Sequence, residues 1–168
     1  AVAPIAAAPG GALPEMVAVD AGSFRMGSDH ARFPADLEGP VRDVETAGYA
    51  IAAHLVTNDE FAAFADATGF RTLAETDGWS FVFGGLLPDD FPPTRGVVGA
   101  EWWRQVMGAD WRHPYGPHSN LDGLGDHPVV HVTWHEAVAY AAWVGGRLPS
   151  EAECCLLYTS DAADDLWC

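Results

Sequence analysis

The stretch that decides the fold is DHPVVHVTWHEAVAYAAWVGGRLPSEAE, residues 126–153, which joins a strand-like segment to a helix. Residues 128–132 are mostly apolar and β-branched, which is typical of a strand. Thr133 and Glu136 then form a capping box, in which the Thr side chain accepts a backbone N–H bond and the Glu side chain reaches back to the cap. Apolar residues follow at helical spacing until a Gly-Gly pair, which predicts the end of the helix.

The same capping pattern occurs at two other places and predicts two more helix starts. Thr57 and Glu60 precede apolar residues that recur at helical spacing up to Gly69. Ser150 and Glu153 form a third box at the end of the deciding stretch. Each cap contributes only about 1 kcal/mol, but caps that agree with the hydrophobic pattern strengthen the prediction of helix starts.

The rest of the chain favours short strands separated by long irregular segments. Residues 16–27 are predicted to form a hairpin around Gly22, residues 28–40 a loop, and residues 41–51 a strand. A further strand is predicted over residues 79–83, and long Pro-rich and polar loops follow it. Loops of this length inside a compact domain are usually functional. We therefore predict an α+β fold with few helices, short strands and much coil.

The composition is that of a globular domain with a strongly acidic surface. The chain has 168 residues, of which 49% are hydrophobic, and its 24 Asp and Glu outnumber 8 basic residues, all Arg, for a formal charge of −16. Such a surface repels phosphate backbones and anionic lipids, so we expect no nucleic-acid or membrane partner. No run approaches the roughly 20 apolar residues of a membrane span.

The two ends of the chain differ from its middle. Residues 1–13 are rich in Ala, Pro and Gly and lack a signal-peptide pattern, so we expect a linker or disordered lead-in that packs against little. Residues 14–153 are predicted to be the structured domain. Residues 154–168 hold all three cysteines, and their segment LLYTSDAADD resembles translated adapter sequence at the ends of fragmentary reading frames. We therefore expect a non-native tail that does not continue the helix begun at Ser150.

Five blocks of this sequence together resemble the formylglycine-generating enzyme family, the sulfatase-modifying factors. They are MVAVDAGSFRMGS (16–28), VTNDEFAAFADATGF (56–70), GWSFVF (78–83), WWRQVMGADWRHPYGP (102–117) and the deciding stretch (126–153). The last block is shared by the whole superfamily, whereas the third and fourth resemble the true formylglycine-generating branch. The resemblance stops after Glu153, where the family continues with Trp-Glu-Tyr.

The resemblance implies a fold, an activity and two metals. The fold would be the C-type-lectin-like fold of formylglycine-generating enzymes. The activity would be that of a copper-dependent oxidase, which uses oxygen to convert a Cys of a Cys-x-Pro-x-Arg segment in an unfolded sulfatase to Cα-formylglycine. Two thiolates of a Cys-His-x-x-x-Cys motif would hold Cu(I), an ion that soft sulfur ligands suit. That motif and the family's calcium sites are expected downstream of Glu153, so we expect no catalytic or metal-binding residue in this chain, which should be inactive alone.

The resemblance also implies which residues bind the substrate peptide. The five candidates are Trp79, Ser80, Phe81, Trp102 and Trp103. The first three fall where the family builds one wall of its peptide cleft, and the two adjacent Trp residues fall in the next long loop. An extended peptide needs flat apolar surfaces, which Trp supplies. The alternative is that these aromatic residues fill a coil-rich core, and this alternative is favoured for Phe81 and Phe83.

Five histidines between residues 113 and 135 raise the question of a metal site. His131 and His135 are four residues apart, which is ligand spacing on a single helix. Here the pair straddles a predicted strand end and a helix start, so we interpret these histidines as hydrogen-bonded loop and cap residues. Arg112 is expected to pair with a carboxylate or with backbone carbonyls of the long loop rather than with substrate.

Two other functions stay open on the sequence alone. One is an iron-dependent sulfoxide synthase of the same superfamily, although its preceding helical iron-binding domain is not seen here and the third and fourth blocks argue against it. The other is a non-catalytic C-type-lectin-like binding module, since superfamily members without the Cys pair serve in that way. We expect a monomer in a bacterial cytoplasm. The cysteine-free first 153 residues suit a reducing compartment.

Overall fold

The computed structural model describes residues 10–30, 32–33, 35 and 38–161, with side chains up to residue 157. The described residues form two compact units. Residues 10–13 and 54–147 belong to the first unit, and the described parts of 14–53 and 148–161 belong to the second. No helix among these residues is long and apolar enough to cross a membrane.

The second unit is built on two antiparallel strand pairs. Its strands are β1 (Met16–Val19), β2 (Gly22–Met26), β3 (Arg42–Thr46) and β4 (Tyr49–Ala52). β1 pairs with β4 and β2 with β3 in a single continuous register, because Val19 lies opposite Tyr49 and Gly22 lies opposite Thr46. The hairpin predicted around Gly22 is therefore wrong: the chain runs straight on there and reverses only after Met26. The strand predicted next along the chain is present, divided into β3 and β4.

One helix of the second unit, α4 (Glu151–Asp161), contacts β2 and β3. The capping box predicted at its start is present, since Glu153 N–H donates to Ser150 Oγ at 3.3 Å and the Glu153 carboxylate accepts from Ser150 N–H at 2.7 Å. Cys154 and Cys155 lie within the helix, and Cys155 is buried. The expectation that this helix stops after Glu153 is wrong.

The described part of the first unit combines three α-helices and a 3-10 turn (Gly84–Leu86) with a three-stranded antiparallel sheet. The helices are α1 (Asn58–Thr68), α2 (Leu73–Asp77) and α3 (Trp134–Trp143), and the strands are β5 (Trp79–Phe83), β6 (Gly96–Val97) and β7 (Ala100–Met107). The strand order is β5-β7-β6. β5 is confirmed, whereas Trp102 and Trp103 lie in β7 and not in the predicted loop. The strand predicted over 128–132 is reduced to a bridge between Thr57 and Pro128, next to a hydrogen bond from Val129 N–H to the carbonyl of residue 56.

The starts of α1 and α3 are the predicted ones. Thr57 and Thr133 accept hydrogen bonds from the N–H groups of Glu60 and Glu136, and in both boxes the Glu side chain accepts from the cap in return. Gly69 ends α1 in the left-handed conformation, with φ 67°. Both predicted N-caps are therefore confirmed.

Thr133→Ala is expected to lower the free energy of unfolding by about 1 kcal/mol, because it removes the acceptor of the Glu136 N–H group. Urea unfolding followed by circular dichroism measures this change. Thr133→Ser keeps the hydroxyl and is the matched control, with an expected change within about 0.5 kcal/mol. Equal losses for Ala and Ser would contradict the cap.

An aromatic cluster forms the core of the first unit. Its buried members are Phe61, Phe64, Ala65, Trp111, Tyr140, Trp143 and Val144. The rings of Phe61 and Trp111 meet edge to face, with centroids 5.2 Å apart, and those of Phe64 and Tyr140 do so at 5.8 Å. Burial raises the pKa of Tyr140 to about 12, and the nearby Glu60 carboxylate adds to this rise. The core thus joins α1, α3 and the loop after β7.

The segment before Pro14 is described only from Gly10, so most of the predicted lead-in lies outside the described residues. Gly10 N–H donates to the Trp143 carbonyl oxygen at 3.0 Å. A Cβ atom on Gly11 would fall 2.4 Å from the Trp143 ring, so the backbone approaches this indole closely. The expectation that residues 1–13 pack against little does not hold for these two glycines.

Candidate functional site

One face of the β5–β7 sheet carries aromatic side chains along both strands. The ladder places Trp79 opposite Met107, Phe81 opposite Gln105 and Phe83 opposite Trp103. Because directly opposite residues share a face and side chains alternate along a strand, these six residues lie on one side of the sheet. We call these six residues the aromatic face.

The aromatic face is open to solvent. The exposed fractions are 42% for Phe81, 44% for Phe83, 43% for Trp103 and 63% for Met107. Edge-to-face pairs connect its rings, with centroids 5.1 Å apart for Trp79 and Phe81 and 6.1 Å apart for Phe83 and Trp103. The interpretation of Phe81 and Phe83 as core residues is therefore wrong.

The opposite side of the same sheet is packed. Val82 and Val106 are each 2% exposed and form a small cluster with Ala109, against which Leu87 and Phe91 pack. This second core holds β5 and β7 together, so the aromatic face is displayed on a rigid support.

The five predicted substrate-binding residues are divided between the two sides. Trp79, Phe81 and Trp103 belong to the aromatic face. Ser80 and Trp102 lie on the other side of the sheet. Each is the sequence neighbour of a residue in the aromatic face, and side chains alternate between the two sides along a strand. Trp102 is nevertheless 55% exposed. The structure thus brings three of the five candidates together.

An open cleft of about 600 Å³ adjoins the aromatic face. Pro93, Thr94, Arg95, Gln105 and Met107 line it. Gln105 and Met107 are members of the aromatic face, so the cleft extends that surface toward the segment before β6. No sequence pattern indicates Arg95 or Gln105, because their proximity depends on the pairing of β6 with β7.

The segment before β6 is fixed on β7 by hydrogen bonds. Gln105 N–H donates to the Arg95 carbonyl oxygen at 2.8 Å. The Thr94 hydroxyl donates to the Gln105 carbonyl oxygen, and the Arg104 guanidinium donates to the Thr94 carbonyl oxygen. The cleft therefore has an ordered rim.

A buried carboxylate fixes the start of α2, the helix that leads into β5. Glu136 is 2% exposed, and its two oxygens accept from the N–H groups of Thr133 and Leu73, each at 2.5 Å. One side chain therefore caps both α3 and α2. Thr72 and Glu75 complete a capping box at the start of α2, which the sequence pattern Thr-x-x-Glu could have predicted.

The end of α2 is fixed as well. Trp111 Nε1–H donates to the Glu75 carboxylate at 3.3 Å, and Gly108 N–H donates to the Gly78 carbonyl oxygen at 2.8 Å. Gly78 is left-handed, with φ 75°, and directly precedes Trp79. The aromatic core and α3 thereby position the first residue of the aromatic face.

Two of the five histidines between residues 113 and 135 make hydrogen bonds within the first unit. His113 Nδ1 lies 3.0 Å from Asp110 Oδ1, and His131 Nε2 lies 2.8 Å from the Pro114 carbonyl oxygen. Within the described part of the chain, no three His, Cys, Asp or Glu side chains lie close enough to hold a metal ion.

Arg112 has the carboxylate partner that we expected. Its guanidinium lies 3.0 Å from Asp66 on α1 and 4.1 Å from the centroid of the Trp111 ring, so the partner comes from a helix and not from the long loop.

The described cysteines do not fit a two-thiolate copper site. Cys154 and Cys155 follow each other on α4, where neighbouring side chains point about 100° apart. Cys155 is 3% exposed. Two sulfurs in this arrangement do not face one ion from opposite sides. Among the described residues, no group of three or more His, Cys, Asp or Glu side chains is placed to bind a calcium ion.

Comparisons with known proteins assign the chain to a family. The family model described as the sulfatase-modifying factor enzyme 1-like domain matches residues 3–156. A formylglycine-generating enzyme of Thermomonospora curvata is 51% identical over 140 residues, which cover 82% of this chain and 46% of that relative. An inactive Cα-formylglycine-generating enzyme 2 of Bos taurus is 44% identical with the same coverage of both chains. The structure of PvdO from Pseudomonas aeruginosa superposes with a TM-score of 0.46 and 29% identity, covering 83% of this chain and 45% of that one.

The matched relatives are longer than this protein, which spans slightly under half of their length. The family match includes all five blocks that carry the resemblance and most of both compact units. The α+β fold with few helices and short strands is the fold that the resemblance implies. The chain therefore belongs to the sulfatase-modifying factor family, whose members include the formylglycine-generating enzymes.

Proposed function

We propose that this protein acts in the formation of Cα-formylglycine, by binding the Cys-x-Pro-x-Arg segment of an unfolded sulfatase whose Cys is then oxidised with oxygen. The observation that carries the proposal is an exposed aromatic face in a chain that is 51% identical to a formylglycine-generating enzyme. Large exposed apolar patches on folded proteins commonly mark interaction sites.

The aromatic face suits an extended peptide. Rings of Trp79, Phe81 and Trp103 offer flat surfaces for side chains and for the Pro ring of the segment. In the described sheet β5 lies at one edge, so its outer backbone groups can pair with an added strand. Main-chain pairing would give affinity, and the rings beside it would select side chains.

Two parts of the family domain would have different roles in the proposed reaction. Residues of this chain bind and orient the peptide and exclude water from its apolar side chains. Copper, when bound, would supply the activation of oxygen. We propose that its two thiolate ligands, and the calcium ligands, belong to the part of the family domain that these 168 residues do not cover, since Cys154 and Cys155 do not fit that role.

Trp103→Ala and Trp79→Ala, made in an enzyme with the complete family domain, are expected to raise KM for a Cys-x-Pro-x-Arg peptide roughly five- to thirty-fold. Truncating a Trp at a peptide interface costs about 1–2 kcal/mol of binding. We expect a smaller change in kcat, because these rings bind substrate and transition state alike. Steady-state kinetics with peptide mass analysis separates the two constants.

Trp102→Ala is the matched control, because Trp102 is adjacent in sequence and exposed but lies on the opposite side of the sheet. Its KM should change less than that of Trp103→Ala. Equal effects for the two variants, or a loss confined to kcat, would contradict binding at the aromatic face.

A non-catalytic binding module is the second candidate function. The observation that favours it is the 44% identity to a relative named as inactive, over the same share of this chain. The same aromatic face would then hold a sulfatase segment without oxidising it. Activity of the complete family domain with the peptide separates the two functions. In both cases we propose a monomer in a bacterial cytoplasm. The cysteine-free residues 1–153 support only the reducing compartment in this proposal.

A further inference from the structure

Arg95 differs from the other arginines of this acidic chain. Five of these bind a partner: Arg25 binds Asp29, Arg42 binds Met26 Sδ, Arg71 binds the Glu75 carbonyl, Arg104 binds the Thr94 carbonyl and Arg112 binds Asp66. Arg32 and Arg147 interact as well. Among the described residues, no carboxylate or carbonyl oxygen binds the guanidinium of Arg95, although the chain has 24 acidic residues.

A hydrogen bond fixes the backbone of Arg95, while its guanidinium remains available to bind a ligand in the cleft. Its carbonyl oxygen accepts from Gln105 N–H at 2.8 Å, and its exposed side chain lines the cleft beside Gln105 and Met107. Glu101, a nearby carboxylate on β7, accepts instead from Gly99 N–H at 3.1 Å in the turn between β6 and β7. The cleft therefore presents a cation at the border of the aromatic face.

We propose that Arg95 binds an Asp or Glu side chain of the peptide that occupies the aromatic face, and thereby helps to determine which sulfatase segments are preferred. This inference rests on the proposed function. A guanidinium matches a carboxylate in a bidentate geometry, and the Gln105 amide in the same cleft can add a donor. Because the net charge of −16 repels acidic peptides at long range, this preference has to come from a local contact.

The test compares peptides that differ in one charge. Acetylated and amidated peptides with a Ser-x-Pro-x-Arg core, the Ser replacing the modified Cys, carry Glu, Gln or Lys at each flanking position in turn. Their Kd for the protein is measured by fluorescence anisotropy. At the position that faces the cleft, we expect Glu to bind roughly two- to five-fold more tightly than Gln, as for an exposed ion pair. This preference should shrink as NaCl is raised.

Variants of Arg95 test whether this residue causes the preference for Glu over Gln peptides. Arg95→Gln should abolish the difference in Kd between the Glu and Gln peptides, and Arg95→Glu should favour the Lys peptide. Arg25→Gln is the control, because it makes the same change in net charge on β2 of the second unit. A preference for Glu that survives in Arg95→Gln would overturn the inference.

The outcomes separate this inference from the proposed function. Equal binding of Glu and Gln peptides at all positions, with both weakened by Trp103→Ala, would overturn the role of Arg95 and leave the aromatic face as the peptide site. If no peptide binds the wild-type protein, both proposals fail.

Discussion

Trp111→Ala is expected to lower the free energy of unfolding by about 3–5 kcal/mol, as large-to-small substitutions of buried aromatic residues do. Trp111 is fully buried, and its ring packs edge to face on Phe61 at 5.2 Å. The substitution also removes the N–H group that binds the Glu75 carboxylate at 3.3 Å and the ring on which Arg112 stacks. The substitution therefore opens a cavity in the core and also removes a hydrogen bond that holds α2 in place.

Denaturant unfolding followed by circular dichroism measures this loss. Trp134→Ala is the matched control, because Trp134 is 66% exposed on α3 of the same unit, and its change should stay within about 0.5 kcal/mol. Trp111→Phe keeps most of the buried ring and should fall between the two variants. A loss below about 1 kcal/mol for Trp111→Ala would contradict its place in the core.

The 168-residue protein alone is expected to form no formylglycine. Its described thiols, Cys154 and Cys155, diverge on α4, and Cys155 is buried, so they do not make the two-sulfur site that Cu(I) requires. The test supplies Cu(I) under reducing conditions, oxygen and a Cys-x-Pro-x-Arg peptide, and follows the peptide by mass spectrometry. We expect no change in mass at its Cys.

A complete formylglycine-generating enzyme, assayed under the same conditions, provides the positive control for this experiment. Formation of an aldehyde at the peptide Cys by the 168-residue protein would contradict the prediction. If that activity disappeared in Cys154→Ser or Cys155→Ser, these thiols would be the catalytic ligands after all.

Local sequence predicted the helix starts because the interactions that fix them are local. The cap residue and the Glu three positions later bind each other directly, as Thr57, Thr133 and Ser150 show. The apolar pattern breaks after Glu153, yet α4 continues to Asp161. A helix in a protein is stabilised mainly by its tertiary contacts, which here are those with β2 and β3, and the local pattern does not contain them.

Strand pairing was harder to predict because it joins distant residues. Gly22 resembles a hairpin turn, yet β1 and β2 pair with β4 and β3 across a long loop. The apolar residues of β7 follow no simple alternation, since Trp102 and Trp103 are adjacent and occupy opposite sides of the sheet. The pairing of β7 with β5 determines which side of the sheet each Trp side chain occupies. The sequence around these residues does not specify that pairing.

The candidate site was therefore only partly predictable. The resemblance pointed to five residues, and the sheet brings three of them, Trp79, Phe81 and Trp103, to one face. Gln105 and Arg95 join this surface through the ladder between β7 and the segment before β6, so their position became visible only in three dimensions.

The most direct test of the aromatic face uses the protein's seven tryptophans as reporters. The protein is labelled with 5-fluorotryptophan, each ¹⁹F resonance is assigned by a single Trp→Phe substitution, and a Ser-x-Pro-x-Arg peptide is titrated. We predict saturable shifts of the Trp79 and Trp103 resonances, with the exposed Trp134 unchanged. Saturable shifts at Trp134 alone, or unchanged Trp79 and Trp103 resonances at saturating peptide, would contradict the account.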